Sequence, residues 1–187
     1  IEYLSDLAAE DSSKNLEVDI YPSGVLGAEP STVEMVQAGV LDMAKVSANT
    51  LGQFDERYSI FSLPYLFRNQ EHYYNAMANS EGIQELFEST RDKGYIAIGY
   101  YANGARNYYL KEDKAVTDPS VLKGKKIRAM VSSTSMEMIE LMGGSPVPMA
   151  SSETYTSLQQ GIVDGAENTE LALTVDKHEE IVKSYTY

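Results

Sequence analysis

Residues 126–168 read KIRAMVSSTSMEMIELMGGSPVPMASSETYTSLQQGIVDGAEN, and short apolar runs alternate there with amphipathic segments. Their periodicity predicts a strand at 126–130, a helix at 134–142, a strand at 146–149, a helix at 152–160 and a strand at 161–166. Thr134 and Glu137 have the spacing of a capping box at the start of the first helix. Strands that alternate with helices are typical of parallel βαβ units, so the predicted fold class is α/β.

The same patterns cover the rest of the chain. They predict a helix at 1–14, a strand at 16–21, a helix at 31–39, strands at 41–47, 95–101 and 105–110, and a helical region from about 69 to 90 that is broken near 80–82. Ser31 and Glu34 have capping-box spacing. The two strands between 95 and 110 are a candidate hinge, which would separate one lobe at 1–102 from a second at 103–187.

Composition excludes several classes of protein. The chain has 187 residues, a net charge of −13 and no cysteine. The lack of cysteine rules out a disulfide scaffold, a thiolate zinc site and a thiol nucleophile. An acidic chain is a poor partner for nucleic acid. No apolar run reaches the roughly 20 residues of a membrane helix, and the abrupt beginning and end lead us to expect a fragment or a trimmed mature piece.

Catalytic motifs are weak in this sequence. His72 and His178 stand alone, and isolated histidines are more often structural than metal-binding. Asp164 and Glu167 have a spacing that allows acid–base chemistry, but a chain with 28 acidic residues contains such pairs by chance. We therefore expect a protein that is not an enzyme and that needs neither a metal nor another cofactor.

Basic residues are concentrated between positions 106 and 128. Seven of the fifteen lie there against three acids, while the rest of the chain carries a net charge of −17. The lysines fit a solvated loop, but Arg106 and Arg128 each fall in a predicted strand. A planar guanidinium matches a carboxylate at two points, which lysine cannot do. The pattern leaves two roles open for these arginines: a clamp for an acidic ligand, or a structural partner for a buried acid.

Six blocks of sequence, in one fixed order, resemble the solute-receptor subunit of tripartite ATP-independent periplasmic (TRAP) transporters, the DctP family. The blocks are 21–27 (YPSGVLG), 37–44 (QAGVLDMA), 63–68 (LPYLFR), 122–128 (LKGKKIR), 152–159 (SETYTSLQ) and 163–168 (VDGAEN). The resemblance implies a bilobed periplasmic-binding-protein-like fold of the second type, here incomplete at both termini. It also implies a periplasmic or otherwise extracytoplasmic location, a small organic acid as ligand and TRAP membrane permease subunits as partners.

The resemblance also implies roles for individual residues. The arginine that clamps the ligand's carboxylate falls on Arg128, a second ligand-contacting arginine falls on Arg106, and the asparagine that ends the last block falls on Asn168. Asp164 and Glu167 are expected to be partners of neighbouring groups rather than ligand contacts, because unpaired acids would repel an anion.

Further ligand-binding positions follow from the same resemblance. Ser151 occupies a position that is aromatic in sialic-acid receptors, which predicts a more polar pocket. Ser47 and Asn49 are expected to face the cleft from the opposite lobe. Gly165, by contrast, is expected to serve a tight backbone turn.

The acidic part of the ligand is easier to predict than the remainder. The serines, asparagines and tyrosines around the predicted cleft favour a polyhydroxylated acid such as a hexuronate, with a four-carbon dicarboxylate as the alternative. An enzyme that acts on a small acid in the same cleft and a protein-interaction module are the competing classes. A receptor would close its lobes over the ligand by a hinge motion.

Overall fold

The computed structural model describes residues 2–10 and 17–187. Within them lie eight α-helices: α1 Glu2–Glu10, α2 Glu29–Gln37, α3 Ala48–Phe54, α4 Gln70–Asn79, α5 Glu81–Glu88, α6 Ser133–Leu141, α7 Ser151–Gln160 and α8 Glu170–Val175. The strands are β1 Asn107–Leu110, β2 Lys126–Ala129, β3 Ser145–Pro148, β4 Gly165–Asn168 and β5 Ser184–Tyr185. Short 3-10 helices occupy Glu56–Ser62, Arg91–Lys93, Pro119–Leu122 and His178–Glu180.

These five strands form one sheet in the order β3-β2-β4-β1-β5. Strand β2 runs parallel to both β3 and β4, whereas β1 runs antiparallel to β4 and β5. Helix α6 connects β2 to β3, and α7 connects β3 to β4, so the predicted βαβ succession and the α/β fold class are confirmed.

The two faces of the sheet carry separate apolar clusters. On one face the buried residues are Leu110, Leu122, Ile127, Ala129 and Ile139. On the other they are Tyr109, Leu158, Val163 and Ala166. A third cluster, Tyr58, Met77 and Phe87 with their partly buried neighbours, draws all its residues from 51–100, whereas the two sheet clusters draw theirs from 108–185.

Three predicted strands are wrong in the part of the chain before β1. Residues 17–21, 41–47 and 95–101 belong to no strand in the described structure, and Leu16 lies outside the described residues. A strand exists only where its backbone N–H and C=O groups pair with a neighbour. None of these segments has such a neighbour among residues 2–10 and 17–187, so their alternating pattern of side chains produces no sheet.

The sequence predicts where the helices α2, α4, α5 and α6 occur, but it does not predict the residues that cap α2 and α6. The predicted break near 80–82 is confirmed, because α4 ends at Asn79 and α5 begins at Glu81. Both predicted capping boxes are wrong. Helix α6 is capped by Ser132, whose side chain accepts from the backbone N–H of Ser135, and α2 begins two residues before Ser31. Helix α1 ends at Glu10 in the described residues, and the predicted continuation to residue 14 lies outside them.

Gly165 does not serve a tight turn, contrary to our expectation. It is the first residue of β4 and is absent from the glycines with positive φ. A Cβ atom at this position would lie 2.4 Å from the carbonyl oxygen of Tyr109 and 3.2 Å from the Cα of Leu110. Glycine is needed here because β1 approaches β4 too closely for any side chain.

Candidate functional site

Arg128 lies in the middle of β2, where it is only 3% exposed. Its neighbours in register are Val147 on β3 and Ala166 on β4, and Ala166 in turn pairs with Tyr109 on β1. Side chains at paired positions of neighbouring strands lie on the same face of a sheet. The Arg128 side chain therefore lies in a row with Val147, Ala166 and Tyr109, and it is the only charged member of that row. Its positive charge is thus buried on one face of the sheet.

Only some of the N–H donors of the Arg128 guanidinium form hydrogen bonds within the described structure. Its Nη2 donates to the carbonyl oxygen of Met149 at 2.9 Å, while its Nε is buried without a hydrogen-bond partner in the described structure. None of the ion pairs between described residues involves Arg128. Burial lowers the pKa of Arg128, and the negative charge of Glu167 opposes that lowering. A buried guanidinium that lacks an ion-pair partner keeps N–H donors with which an anion can form charge-assisted hydrogen bonds.

Arg106, immediately before β1, has a different environment. Its Nε and Nη2 donate to the two carboxylate oxygens of Glu167 at 2.6 and 3.0 Å, and its Nη2 also donates to the backbone oxygen of Glu167. The Glu167 side chain is 5% exposed and that of Arg106 32% exposed. Arg106 is thus the structural partner of a buried acid, one of the two roles that the sequence left open, and most of its positive charge is neutralised within the protein.

Asn168 connects Arg106 to the end of β4. Its Oδ1 accepts from Nη1 of Arg106 at 3.0 Å and from the backbone N–H of Thr169 at 2.9 Å. These contacts fix the orientation of the amide, and its two N–H donors make no hydrogen bond to another described residue. Asp164 is also a partner of a neighbouring group, since its carboxylate accepts from the backbone N–H of Lys126 at 2.8 Å.

Helix α3 lies beside the segment that follows β2. Gln53 donates to the carbonyl oxygen of Val131 at 2.9 Å, and the side-chain amide of Asn49 contacts the sulfur of Met130. The other end of the Asn49 amide accepts from the hydroxyl of Ser62. Asn49 therefore joins the part of the chain before β1 to the segment that directly follows the strand carrying Arg128.

Ser47 acts as the N-cap of α3. Its hydroxyl accepts from the backbone N–H of Thr50 and donates to Oε2 of Glu29 at 2.7 Å. The predicted site residue Ser47 is thus committed to a local hydrogen-bond network. The sequence gives no indication that Glu29 is the partner of Ser47, because a glutamate before a proline at a helix start belongs to no recognisable motif.

Ser151 is the first residue of α7 and is exposed, and it makes no side-chain hydrogen bond to a described residue. The structure brings Arg128, Arg106 and Asn168 together on or beside the adjacent strands β2, β4 and β1. The side chain of Asn49 contacts Met130, which is two residues after Arg128. Ser151 is two residues after Met149, whose carbonyl oxygen accepts from Arg128.

Tyr109, which pairs with Ala166 in the same row as Arg128, contacts His178. The Tyr109 hydroxyl is 2.9 Å from Nδ1 of His178, which is fully buried. Burial raises the pKa of Tyr109 and lowers that of His178, so both side chains are neutral at pH 7. Over the described residues, no group of three or more His, Cys, Asp or Glu side chains is arranged to hold a metal ion. No helix among them has the length and apolarity required to cross a membrane.

Comparison with known proteins gives consistent matches. The model of the family described as bacterial extracellular solute-binding protein, family 7 (DctP) matches residues 1–187. The uncharacterized protein YiiZ of Salmonella typhimurium is 43% identical over 189 residues, which is 100% of this chain and 57% of that protein. A TRAP periplasmic solute-binding protein from Anaerococcus prevotii with bound D-glucuronate has a TM-score of 0.93 and 37% identity, over 98% of this chain and 59% of that one.

A second solved structure is similar to the same extent. It is a TRAP periplasmic solute-binding protein from Sulfitobacter sp. NAS-14.1 with bound β-D-galacturonate, with a TM-score of 0.92 and 33% identity, over 98% of this chain and 61% of that one. The chain therefore spans somewhat more than half the length of the proteins that it matches.

Proposed function

Since the chain belongs to the bacterial extracellular solute-binding protein family 7 (DctP), we propose that it is the receptor of a TRAP transporter for a small organic acid, with a hexuronate favoured. Proteins of this family and the solved structures that resemble the chain are solute-binding proteins rather than enzymes, and they are extracytoplasmic. In this proposal the receptor delivers its ligand, chemically unchanged, to the membrane permease.

The buried guanidinium of Arg128 is the observation that carries the proposal. A charge that is 3% exposed, has no ion-pair partner among the described residues and retains a free Nε has donors available for a carboxylate. Two parallel N–H groups of an arginine match the two oxygens of a carboxylate. Asn168 would add amide donors beside this clamp, and Arg106 would hold Asn168 in position through its Oδ1.

A hexuronate is favoured over the four-carbon dicarboxylate for two reasons. The solved structures from Anaerococcus prevotii and Sulfitobacter hold D-glucuronate and β-D-galacturonate, respectively. In addition, the cationic charge that remains available at the site is essentially that of Arg128, because Arg106 is paired with Glu167. A single available cation suits a ligand with one carboxylate.

Two lobes at 1–102 and 103–187 would close over this ligand. The separate clusters within 51–100 and 108–185 support this division, and so does the irregular backbone that precedes β1. Ligand contacts that form only in the closed state would shift the population toward it.

Isothermal titration calorimetry with D-glucuronate, D-galacturonate and succinate tests the proposal. We expect a hexuronate to bind, and Arg128→Ala to lose on the order of 2–5 kcal/mol of binding free energy, about 30-fold to several thousand-fold in Kd. Arg128→Lys should also bind weakly, because it keeps the charge but loses the two-point geometry. Arg91→Ala is the matched control, since Arg91 is exposed and its ion pair is with Glu88, which is exposed as well.

Retained hexuronate affinity in Arg128→Ala would refute the clamp, and binding of succinate but not of a hexuronate would favour the dicarboxylate receptor. Recovery of the acid unchanged after long incubation distinguishes a receptor from an enzyme that acts on the same acid.

A further inference from the structure

The hydroxyl of Tyr185, on β5, connects three strands of the sheet. It accepts from Nδ2 of Asn107 at 3.1 Å and donates to the carbonyl oxygen of Asn168 at 3.2 Å. Asn107 and Asn168 occupy paired positions of β1 and β4. A tyrosine hydroxyl has a single donor, and a carbonyl oxygen can only accept. The three groups therefore form a short chain, in which Asn107 donates to Tyr185 and Tyr185 donates to Asn168.

Packing against Tyr109 fixes the position of this hydroxyl. The rings of Tyr185 and Tyr109 are stacked, with centroids 6.2 Å apart and an angle of 16° between their planes. The two residues are also paired in register, which places Tyr185 at the end of the row that contains Arg128. Because a tyrosine side chain bends at only two torsions, a ring held by stacking also fixes where its hydroxyl lies.

Asn168, the last residue of β4, is consequently held through two of its polar groups. Its side-chain Oδ1 accepts from Arg106 and from the backbone N–H of Thr169, and its carbonyl oxygen accepts from Tyr185. The two amide N–H groups of Asn168 have no such partner among the described residues. The direction in which they point depends on both anchors, since the side chain is oriented only while its backbone stays in place.

We propose that Tyr185 is a positioning residue, whose hydroxyl holds the Asn168 amide in the orientation that binds the ligand. The inference rests on the proposed function, because it takes the amide N–H groups of Asn168 as donors to the bound acid. Tyr185 needs no contact with that acid, since it acts through the carbonyl oxygen of Asn168. The sequence analysis missed this residue, because its role depends on the register of β5 with β1.

Tyr185→Phe tests this role, because it keeps the stacked ring and removes only the hydroxyl. The loss of one neutral hydrogen bond should weaken D-glucuronate binding about three- to tenfold in isothermal titration calorimetry. Tyr187→Phe is the matched control. Tyr187 is 90% exposed and its ring packs against that of Tyr185, but its hydroxyl donates to Glu170 instead of β4. This control should bind with an unchanged Kd.

A double-mutant cycle with Asn168→Ala separates positioning from general stabilisation. Asn168→Ala removes the amide but keeps the carbonyl oxygen to which Tyr185 donates. We therefore expect Tyr185→Phe to lower stability toward urea in both backgrounds, but to change Kd by less than about twofold once the amide is absent. An unchanged Kd in Tyr185→Phe alone would overturn the inference, and so would an equal fold-loss of affinity in both backgrounds.

The side-chain amide resonances of Asn168 in NMR spectra give a second measurement, which does not depend on binding by Asn168→Ala. In the ligand-free protein we expect them to shift in Tyr185→Phe and to stay in place in Tyr187→Phe. Resonances in Tyr185→Phe that are identical to those of the wild type would overturn the inference. Hexuronate binding by the wild type would in that case leave the proposed function standing, whereas a wild type that binds no hexuronate would remove both.

Discussion

Arg106, immediately before β1, donates to both carboxylate oxygens of Glu167 on the neighbouring antiparallel strand β4, from Nε at 2.6 Å and from Nη2 at 3.0 Å. The partners are unequally buried, with the glutamate side chain 5% and the arginine side chain 32% exposed. When one partner is removed, the survivor keeps its charge. The consequences of removing each partner should therefore differ.

We expect Arg106→Ala to destabilise the protein more than Glu167→Gln. The alanine variant leaves an uncompensated carboxylate in the core, which costs about 3–5 kcal/mol. The glutamine variant leaves an arginine that can turn toward solvent, so we expect a loss of about 1–3 kcal/mol. Urea denaturation of both single variants and of the double variant measures the free energies of unfolding. Equal losses in the free energy of unfolding of the two single variants would show that the difference in burial between Arg106 and Glu167 does not determine the cost.

The contrast between Arg106 and Arg128 shows what the sequence could predict of the site. Both arginines were singled out by charge and by their place in predicted strands. Which of them pairs with an acid depends on strand register, because β1 and β4 must align before Arg106 meets Glu167. Register between two strands so distant in the sequence is not encoded in any local motif. Local patterns therefore identified both arginines but could not assign their different partners.

The fold shows the same distinction between local and distant information. The succession of β2, β3 and β4 was predictable because each strand is joined to the next by a helix with its own periodicity, although β4 begins at Gly165, four residues after the predicted start at 161. The segments at 17–21, 41–47 and 95–101 have the alternation of strands but no pairing partner in the described structure. Alternating apolar residues indicate that one face of an extended segment is apolar. The segment becomes part of a sheet only when a neighbouring strand pairs with its backbone.

Arg128→Met should abolish ligand binding while leaving the ligand-free protein at least as stable as the wild type. A buried charge carries a desolvation penalty of several kcal/mol, and one hydrogen bond to Met149 compensates only part of it. Methionine keeps a long unbranched side chain in the same space without the charge. Chemical denaturation in the absence of ligand measures the difference. Arg91→Met, at a side chain that is 69% exposed, is the control and should change neither property. A large drop in stability for Arg128→Met would show that the guanidinium supports the fold.

His178 should make stability depend on pH near neutrality. Burial lowers the pKa of its imidazole in the folded protein, whereas in the unfolded state the pKa is about 6.5. Below that value the unfolded state binds a proton that the folded state does not. The free energy of unfolding should therefore be constant above pH 7 and fall as the pH drops toward 5.5, by at most about 1.4 kcal/mol per pH unit.

The variant His178→Gln should lose this part of the pH dependence, while His72→Gln, at the only other histidine, should keep it. Denaturation midpoints measured between pH 5.5 and 8 give the two slopes. A slope in His178→Gln as steep as that of the wild type would assign the pH dependence to other groups.

Gly165→Ala should be among the most damaging single-methyl substitutions in the sheet. Its Cβ would lie 2.4 Å from the carbonyl oxygen of Tyr109, so β1 would have to move away from β4. We expect a loss of about 3 kcal/mol and, because β1 continues from Arg106, weaker ligand binding as well. Gly99→Ala is the matched control: nothing lies within 4 Å of its Cβ position, and its φ is outside the left-handed region. Since alanine restricts the unfolded state, this control should be neutral or stabilised by up to about 1 kcal/mol. Equal stabilities of the two variants in urea would mean that β1 and β4 tolerate a wider separation than the one observed here.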